Sequence, residues 1–175
     1  MANSSGSIVR PSTGAELFCC AFAGLFCTRT IPGGIINRRS YNGFGKLVDS
    51  NREAMVKTLQ EAVRIKSVQE PAVPGKPFGE GPARCLAYML EEAEKMGFRT
   101  QNVDNYMGWC EYGEGPEMVA VLGHLDVVPE GMAGPGIYSG EADGENVYGR
   151  GTMDDKGPTT AALYALKALK DSGVP

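Results

Sequence analysis

The chain has 175 residues, which is enough for one domain with a buried core. Its net charge of −4 and its pI of about 5.1 provide no basic footprint for a nucleic acid. Its longest apolar run is far shorter than the roughly 20 residues that span a bilayer, so we expect neither a nucleic-acid nor a membrane partner.

Residues 1–45 differ in character from the rest of the chain. They begin with serine, glycine and asparagine, continue into an apolar run at 17–27, and later contain paired arginines. The apolar run has the length of a signal-peptide core, but Glu16 lies against it and no small-x-small cleavage site follows cleanly. We expect an unstructured or non-native extension over 1–45, with a secretion signal as the open alternative, and a folded domain over 46–175.

The cysteines number five and follow no metal-binding spacing. Three lie in the apolar N-terminal run and two in the folded part: Cys19, Cys20, Cys27, Cys85 and Cys110. An odd set without regular spacing is typical of reduced thiols and not of a disulfide framework. We therefore expect a cytoplasmic protein.

Two helices are predicted ahead of the first strands. Ser50 and Glu53 have the spacing of a capping box, in which the serine caps the helix and the glutamate reaches back to it. Apolar residues then recur at helical spacing to about Lys66. A loop rich in proline and glycine follows over 69–81, and a second helical pattern covers 83–93.

The remaining elements alternate in a way that is typical of an α/β fold. Strands are predicted over 98–103 and 108–112, with a turn near 104–105 between them. Five consecutive apolar residues at 118–122 indicate a buried strand of a parallel sheet. A last helix is predicted over 161–169, and the order of elements favours a three-layer α/β domain.

The candidate functional residues begin where the third strand ends. His124 is the only histidine of the protein, and it lies two residues before Asp126. Side chains of an extended strand alternate between its faces, so both would point the same way. A carboxylate behind an imidazole is the usual arrangement of a metal-bound histidine, because it holds the tautomer and orientation of the ring. Open α/β sheets bind their ligands at this end of a strand.

A glycine-rich loop then delivers two aspartates just ahead of the last helix. Asp154 would by itself be an N-cap of that helix, and Asp155 could equally be the cap. An aspartate in this place can also reach a cation held over the sheet. The loop lacks the spacing of a nucleotide cradle, which argues against an NTPase. Arg150 and Lys156 are interpreted as loop-packing and solvated charges.

Two runs together carry a family resemblance: GHLDVVP at 123–129 and YGRGTMDDKGP at 148–158, with Ser-Gly-Glu between them. They resemble the signature pair of the two-zinc metallopeptidases of the aminoacylase and carboxypeptidase-G type. Within that family the chain is most similar to the PepV/Sapep dipeptidase branch, which has carnosinase-like relatives. The resemblance covers roughly residues 47–175. It implies a three-layer α/β/α catalytic domain, of which 46–175 would be the N-terminal part, incomplete at the C-terminus.

The resemblance also implies roles for individual residues. His124 would bind one metal ion, Asp154 would bridge two, and Asp126 would act as the catalytic-site carboxylate that orients His124. A complete site would hold two Zn²⁺ ions, with Mn²⁺ or Co²⁺ possible, and would activate water. The family typically has a cis peptide between the two acidic positions 154 and 155. Its glutamate general base and its remaining ligands cannot be assigned to residues of this sequence.

We therefore predict a metal-dependent dipeptidase that cleaves a peptide bond with metal-activated water. One histidine and one aspartate do not complete a zinc site, so this polypeptide alone should be inactive and bind metal weakly. One alternative is a deacylase of small N-acyl amino acids in the same family, and another is a non-catalytic truncated product. The loop at 129–146 departs from the family, because it lacks the tryptophan and the proline–aromatic pair usual there. The oligomeric state stays open.

Overall fold

The computed structural model describes residues 21–26, 38–114 and 118–173. In these residues it contains four strands: β1 (Ala21–Phe26), β2 (Arg99–Val103), β3 (Met107–Tyr112) and β4 (Val119–His124). It also contains four α-helices: α1 (Arg38–Ser50), α2 (Arg52–Arg64), α3 (Glu80–Lys95) and α4 (Lys156–Asp171). Within the described ranges, no helix has the length and apolar character needed to cross a membrane.

The four strands form one sheet in the order β2-β3-β1-β4. β2 and β3 make an antiparallel hairpin, as predicted. Its turn residues Asp104 and Asn105 have φ of 49° and 58°, a conformation that aspartate and asparagine tolerate in tight hairpin turns. β1 lies parallel to β3 on one side and antiparallel to β4 on the other.

Helices α3 and α4 pack against this sheet, and α2 packs on both of them. Their apolar faces form the buried core with the central part of β3, through Leu86, Met89 and Leu90 of α3, Leu163 and Leu166 of α4, and Cys110 of β3. The helical periodicity of the sequence thus predicted α2, α3 and α4 correctly. Helices packed on a mixed sheet confirm the α/β class.

The structure describes two elements within 1–45, and the expectation of an unstructured or non-native extension over that range stays a prediction. Residues 21–26 form β1, which pairs with a strand on each side, and α1 begins at Arg38. Cross-strand pairing uses the backbone groups of distant residues, and a local composition pattern carries no information about it. The rest of that stretch, 1–20 and 27–37 with three of the cysteines, lies outside the described residues. The boundary at residue 46 stays a prediction.

Strand β4 contradicts the prediction of a buried strand in a parallel sheet. It pairs antiparallel with β1, and in the described part of the chain no strand lies on its other side. Its apolar side chains are exposed, with Leu122 at 74 % and Val119 at 54 %. The prediction was wrong because an apolar run does not say how many neighbours a strand has.

The capping-box prediction at Ser50 was also wrong. α1 extends to Ser50, and α2 begins two residues later, so the serine belongs to the preceding helix. Its Oγ donates a hydrogen bond to the carbonyl oxygen of Leu47 at 2.9 Å. Asn51 takes the N-cap position of α2 and makes no capping bond with its side chain. The sequence pattern identified the start of α2 but not the helix in front of it.

Lys156, the first residue of α4, is fully buried and ties the start of this helix to α2. Its Nζ donates to the carbonyl oxygens of Ala62 at 2.8 Å and Ile65 at 2.7 Å. The carbonyl of Ala62 also accepts from the backbone N–H of Ile65 at 3.2 Å, and an ammonium group is well placed beside the negative end of the helix dipole. Burial lowers the pKa of Lys156. Lys156 is therefore a loop-packing residue, and the interpretation of a solvated charge was wrong.

We expect Lys156→Met to lower the free energy of unfolding by about 1–3 kcal/mol, because the two carbonyls lose their buried donor. Urea unfolding followed by circular dichroism measures the change. Lys95→Met is the matched control: the side chain of Lys95 is 58 % exposed and binds only surface carboxylates of α3. Its loss should stay below about 1 kcal/mol. Equal losses in both variants would contradict the anchoring role.

Candidate functional site

The end of β4 and the start of α4 are joined by the side chain of Asp155. Its Oδ2 accepts hydrogen bonds from the backbone N–H of His124 at 3.1 Å and from Oγ1 of Thr159 at 3.2 Å. The first partner is the last residue of the strand, and the second lies in the first turn of the helix. One carboxylate therefore holds the strand end and the helix start together.

Gly123 leaves the space that this junction needs. A Cβ atom at Gly123 would overlap Oγ1 of Thr159 and would lie 2.9 Å from Oδ2 of Asp155. The absence of a side chain allows the hydroxyl and the carboxylate to approach the strand directly. The structure therefore shows that this glycine is needed for packing.

His124 lies between two aspartates that come from different parts of the chain. Its Nε2 is 3.0 Å from Oδ1 of Asp154, which is 30 residues away in sequence. Its Nδ1 is 3.1 Å from the carbonyl oxygen of Asp126 and 3.4 Å from Oδ1 of the same residue. The structure thus brings together all three residues that the sequence singled out. A ring whose Nδ1–H donates to Asp126 turns Nε2 toward Asp154.

The two neighbouring aspartates have different surroundings. The peptide bond between Asp154 and Asp155 is cis, as the resemblance implied. The side chain of Asp154 is 86 % exposed and lies beside the imidazole. Asp155 occupies the N-cap position of α4 without a capping bond from its side chain, which binds the strand end instead. The sequence left open whether Asp155 is a helix cap or a functional residue. In the structure its side chain positions the backbone of His124.

The environment of His124 favours the protonated ring when no metal competes. Burial lowers the pKa of His124, but the hydrogen bonds to Asp126 and Asp154 raise it more, so it lies above the ordinary value of 6.5. Nearby carboxylates stabilise a positive charge at this position. The same charge distribution is suited to hold a divalent cation in place of the proton.

The predicted residues line a groove of about 700 Å³, which also includes Gln69, Val128 and the loop at 149–154. Small-molecule sites in proteins have volumes of this order. The groove is polar at His124, Asp126, Arg150 and Asp154, and apolar along Val127 and Val128. A ligand of the size of two amino acids fits such a volume.

The described residues fit part of a metal site. Nε2 of His124 and the carboxylate of Asp154 can reach one cation together, and Asp126 supports the ring from behind. Within 21–26, 38–114 and 118–173, no group of three or more histidine, cysteine, aspartate or glutamate side chains could hold a metal ion. Zinc sites normally use at least three protein ligands. The two donor side chains are therefore of the kinds that bind zinc, but they are fewer than a zinc site requires.

Sequence reasoning missed Thr159, which completes the junction around Asp155. A threonine four residues after an aspartate at the start of a helix lies on the same helical face, and that spacing was the available signal. Sequence reasoning also missed that Nε of Arg150 is buried without a hydrogen-bond partner among the described residues, because nothing local shows whether an arginine finds a partner.

Comparison with known proteins provides independent support for the fold and for the family resemblance. Residues 120–175 match the model of peptidase family M20/M25/M40. The chain is 46 % identical over 129 residues to a putative dipeptidase, YtjP, of Bacillus subtilis (strain 168), covering 71 % of this chain and 27 % of that protein. It is 37 % identical over 134 residues to a Beta-Ala-Xaa dipeptidase of Lactobacillus delbrueckii subsp. lactis, covering 74 % of this chain and 28 % of that protein.

A similar fold occurs in the crystal structure of human carnosine dipeptidase 1. The two structures superpose with a TM-score of 0.55 at 23 % identity, covering 78 % of this chain and 32 % of the other. The chain thus spans little more than a quarter of the length of the curated relatives it matches.

We expect Gly123→Ala to lower the free energy of unfolding by about 1–3 kcal/mol, because the new methyl group displaces Thr159 and Asp155. Urea unfolding measures this loss, and the amide signal of His124 in NMR spectra should move with it. Gly136→Ala is the control, since a Cβ there meets no atom within 4 Å. An unchanged His124 amide signal in the Gly123 variant would argue against the junction.

We expect Asp154→Asn to lower the pKa of His124, because it removes one of the carboxylates that stabilise the charged ring. Since the folded-state pKa is raised, protonated His124 stabilises the fold below the unfolded-state pKa, and this is lost as pH rises through the folded-state pKa. NMR titration of the imidazole is unambiguous because the protein has 1 histidine. Asp171→Asn, at the far end of α4, should leave the titration unchanged. Coincident curves for wild type and Asp154→Asn would contradict the contact.

Proposed function

The chain belongs to peptidase family M20/M25/M40, and from this premise we propose that it supplies part of the active site of a metal-dependent dipeptidase. Membership confirms the resemblance carried by the two signature runs. The names of the relatives, a putative dipeptidase and a Beta-Ala-Xaa dipeptidase, support a dipeptide as the substrate. The activity proposed is hydrolysis of the peptide bond by water.

The observation that carries this proposal is the 3.0 Å approach of the His124 ring to the Asp154 carboxylate at the wall of the groove. A histidine and an exposed carboxylate in contact across 30 residues are brought there by the fold alone. A structural role would account for a buried carboxylate, but the side chain of Asp154 is largely exposed. Exposure beside an imidazole favours a ligand that arrives from the groove.

Each residue has a proposed task. His124 and Asp154 would be ligands, Asp126 would hold the imidazole in the required tautomer, and Asp155 would position the backbone of His124. Zn²⁺ is the expected ion, two per complete site, with Mn²⁺ or Co²⁺ possible. Bound metal would polarise the scissile carbonyl and lower the pKa of a water molecule. The groove would hold the dipeptide beside these donors.

Two alternatives to this proposal can be tested with the same kinds of experiment. Deacylation of small N-acyl amino acids would use the same chemistry on a different acyl group. The second alternative is a non-catalytic role, in which His124 and Asp154 would take part in no reaction. Assays of β-alanyl-histidine against N-acetyl amino acids separate the first reading from dipeptide hydrolysis. Titration with metal distinguishes the second.

We expect calorimetric titration with Zn²⁺ to show a dissociation constant above about 1 μM for the 175-residue chain, because two protein donors are fewer than a zinc site requires. Binding should release protons, because the His124 ring must lose its proton to bind the metal ion. His124→Ala and Asp154→Asn should each abolish the binding heat, whereas Asp171→Asn should not. Sub-micromolar affinity would contradict the partial site, and heats unaffected by the first two variants would contradict the proposed ligands.

A further inference from the structure

Ser67 lies behind the candidate site and binds the chain on both sides of Asp126. Its Oγ donates a hydrogen bond to the carbonyl oxygen of Leu125 at 2.5 Å. Its own carbonyl oxygen accepts from the backbone N–H of Val127 at 3.1 Å. These two partners are the residues directly before and after Asp126. Both peptide groups that flank Asp126 are therefore bonded to one serine.

The second of these bonds sets the direction of the Asp126 carbonyl. The N–H and the C=O of a planar trans peptide group point in opposite directions. Because the N–H of Val127 is directed at Ser67, the carbonyl oxygen of Asp126 is directed away from it. That oxygen lies 3.1 Å from Nδ1 of His124. The serine and the imidazole thus occupy opposite sides of the same peptide group.

The position of Ser67 is fixed by helices that lie outside the site. The serine is fully buried just beyond the end of α2. The carbonyl oxygen of Ile65, two residues earlier, accepts from Nζ of Lys156 at 2.7 Å. A Cβ atom at Gly81 would lie 3.1 Å from Cα of Ser67, so the start of α3 packs directly against the serine. Ser67 is therefore a rigid point from which the segment after β4 can be held.

The hydroxyl group of Ser67 has a task that a methyl group could not perform. Leu125 is fully buried, and a buried carbonyl group needs a hydrogen-bond donor. The groove is lined by the next two residues, Val68 and Gln69, and not by Ser67 itself. Any influence of the serine on a ligand in the groove must therefore pass through Asp126.

We propose that Ser67 is a positioning residue, which holds the Asp126 carbonyl against Nδ1 of His124 and so keeps the proton of the neutral ring on Nδ1. This inference rests on the proposed function, because it takes Nε2 to be the atom that binds the metal ion. A metal-binding ring nitrogen must carry no proton, and the hydrogen bond made by the other nitrogen decides which one is free.

The first test uses the wild-type chain without metal at alkaline pH, where the imidazole is neutral. Long-range ¹H–¹⁵N NMR spectra show which ring nitrogen carries the proton, and the protein has 1 histidine. We expect the proton to be mainly on Nδ1 of His124, and the amide of Val127 to exchange with solvent as slowly as the core amides of α3. A proton mainly on Nε2, or a Val127 amide that exchanges as fast as those of exposed loops, would overturn the proposal.

Variants of the serine provide the second test. Ser67→Ala should lower the ratio of the Nδ1–H to the Nε2–H tautomer at least about threefold, because the peptide groups around Asp126 lose one of their two bonds. Ser67→Thr keeps the hydroxyl group, so its ratio should lie closer to that of wild type. An unchanged ratio in Ser67→Ala would reject the proposal, and so would a threonine ratio as low as the alanine ratio.

Thr58→Val is the matched control, because it removes another buried hydroxyl group. The side chain of Thr58 is hydrogen-bonded to the hydroxyl of Tyr164 at 2.9 Å and contacts no part of the site. Urea unfolding should show a loss of stability comparable to that of Ser67→Ala, whereas the tautomer ratio should stay that of wild type. Equal changes of the ratio in both variants would indicate general loosening of the fold and would contradict the positioning role.

Titration of the same samples with Zn²⁺, followed at the His124 ring signals, separates this inference from the proposed function. A tautomer ratio that depends on Ser67, with no zinc response in wild type, would uphold the positioning role and reject the metal site. A zinc response with a tautomer ratio independent of Ser67 would uphold the metal site and reject the positioning role.

Discussion

The candidate site depends on the carboxylate of Asp155, which joins the last residue of β4 to the first turn of α4. Its bonds to the His124 amide and the Thr159 hydroxyl set the distance between strand end and helix start. Because Asp154 precedes it directly, this junction also sets how closely Asp154 approaches the imidazole. Gly123 keeps the space free, and a side chain there would push the two elements apart. The residue that positions the proposed ligands is thus distinct from the ligands themselves.

Buried polar groups hold the surrounding segments in a single arrangement. Ser67 is fully buried, and its Oγ donates to the carbonyl oxygen of Leu125 at 2.5 Å, while the N–H of Val127 donates back to Ser67 at 3.1 Å. Lys156 does the same for the start of α4. Such groups are costly to bury unless every partner is present, so alternative packings of these segments are disfavoured. The groove therefore has walls of defined shape.

Local patterns in the sequence were sufficient where local forces decide the structure. The apolar periodicity of α2, α3 and α4 and the Asp104-Asn105 turn follow from helix geometry and from the conformations these residues tolerate. The same patterns were insufficient at β4 and at Ser50. Exposure of Leu122 depends on which strand lies beside it, and the role of the Ser50 hydroxyl depends on whether the residues before it are already helical.

The sequence by itself singled out the residues of the candidate site, because His124, Asp126 and Asp154 stand in two signature runs whose spacing is specific. It determined the fold class as well, through the order of helical and extended patterns. Only the tertiary structure decided that Asp155 holds the strand, that Lys156 is buried and that Arg150 has no carboxylate partner in the described part of the chain. The physical reason is that the role of a charged side chain depends on its neighbours in space, and these neighbours come from segments dozens of residues away in sequence. No local pattern specifies them.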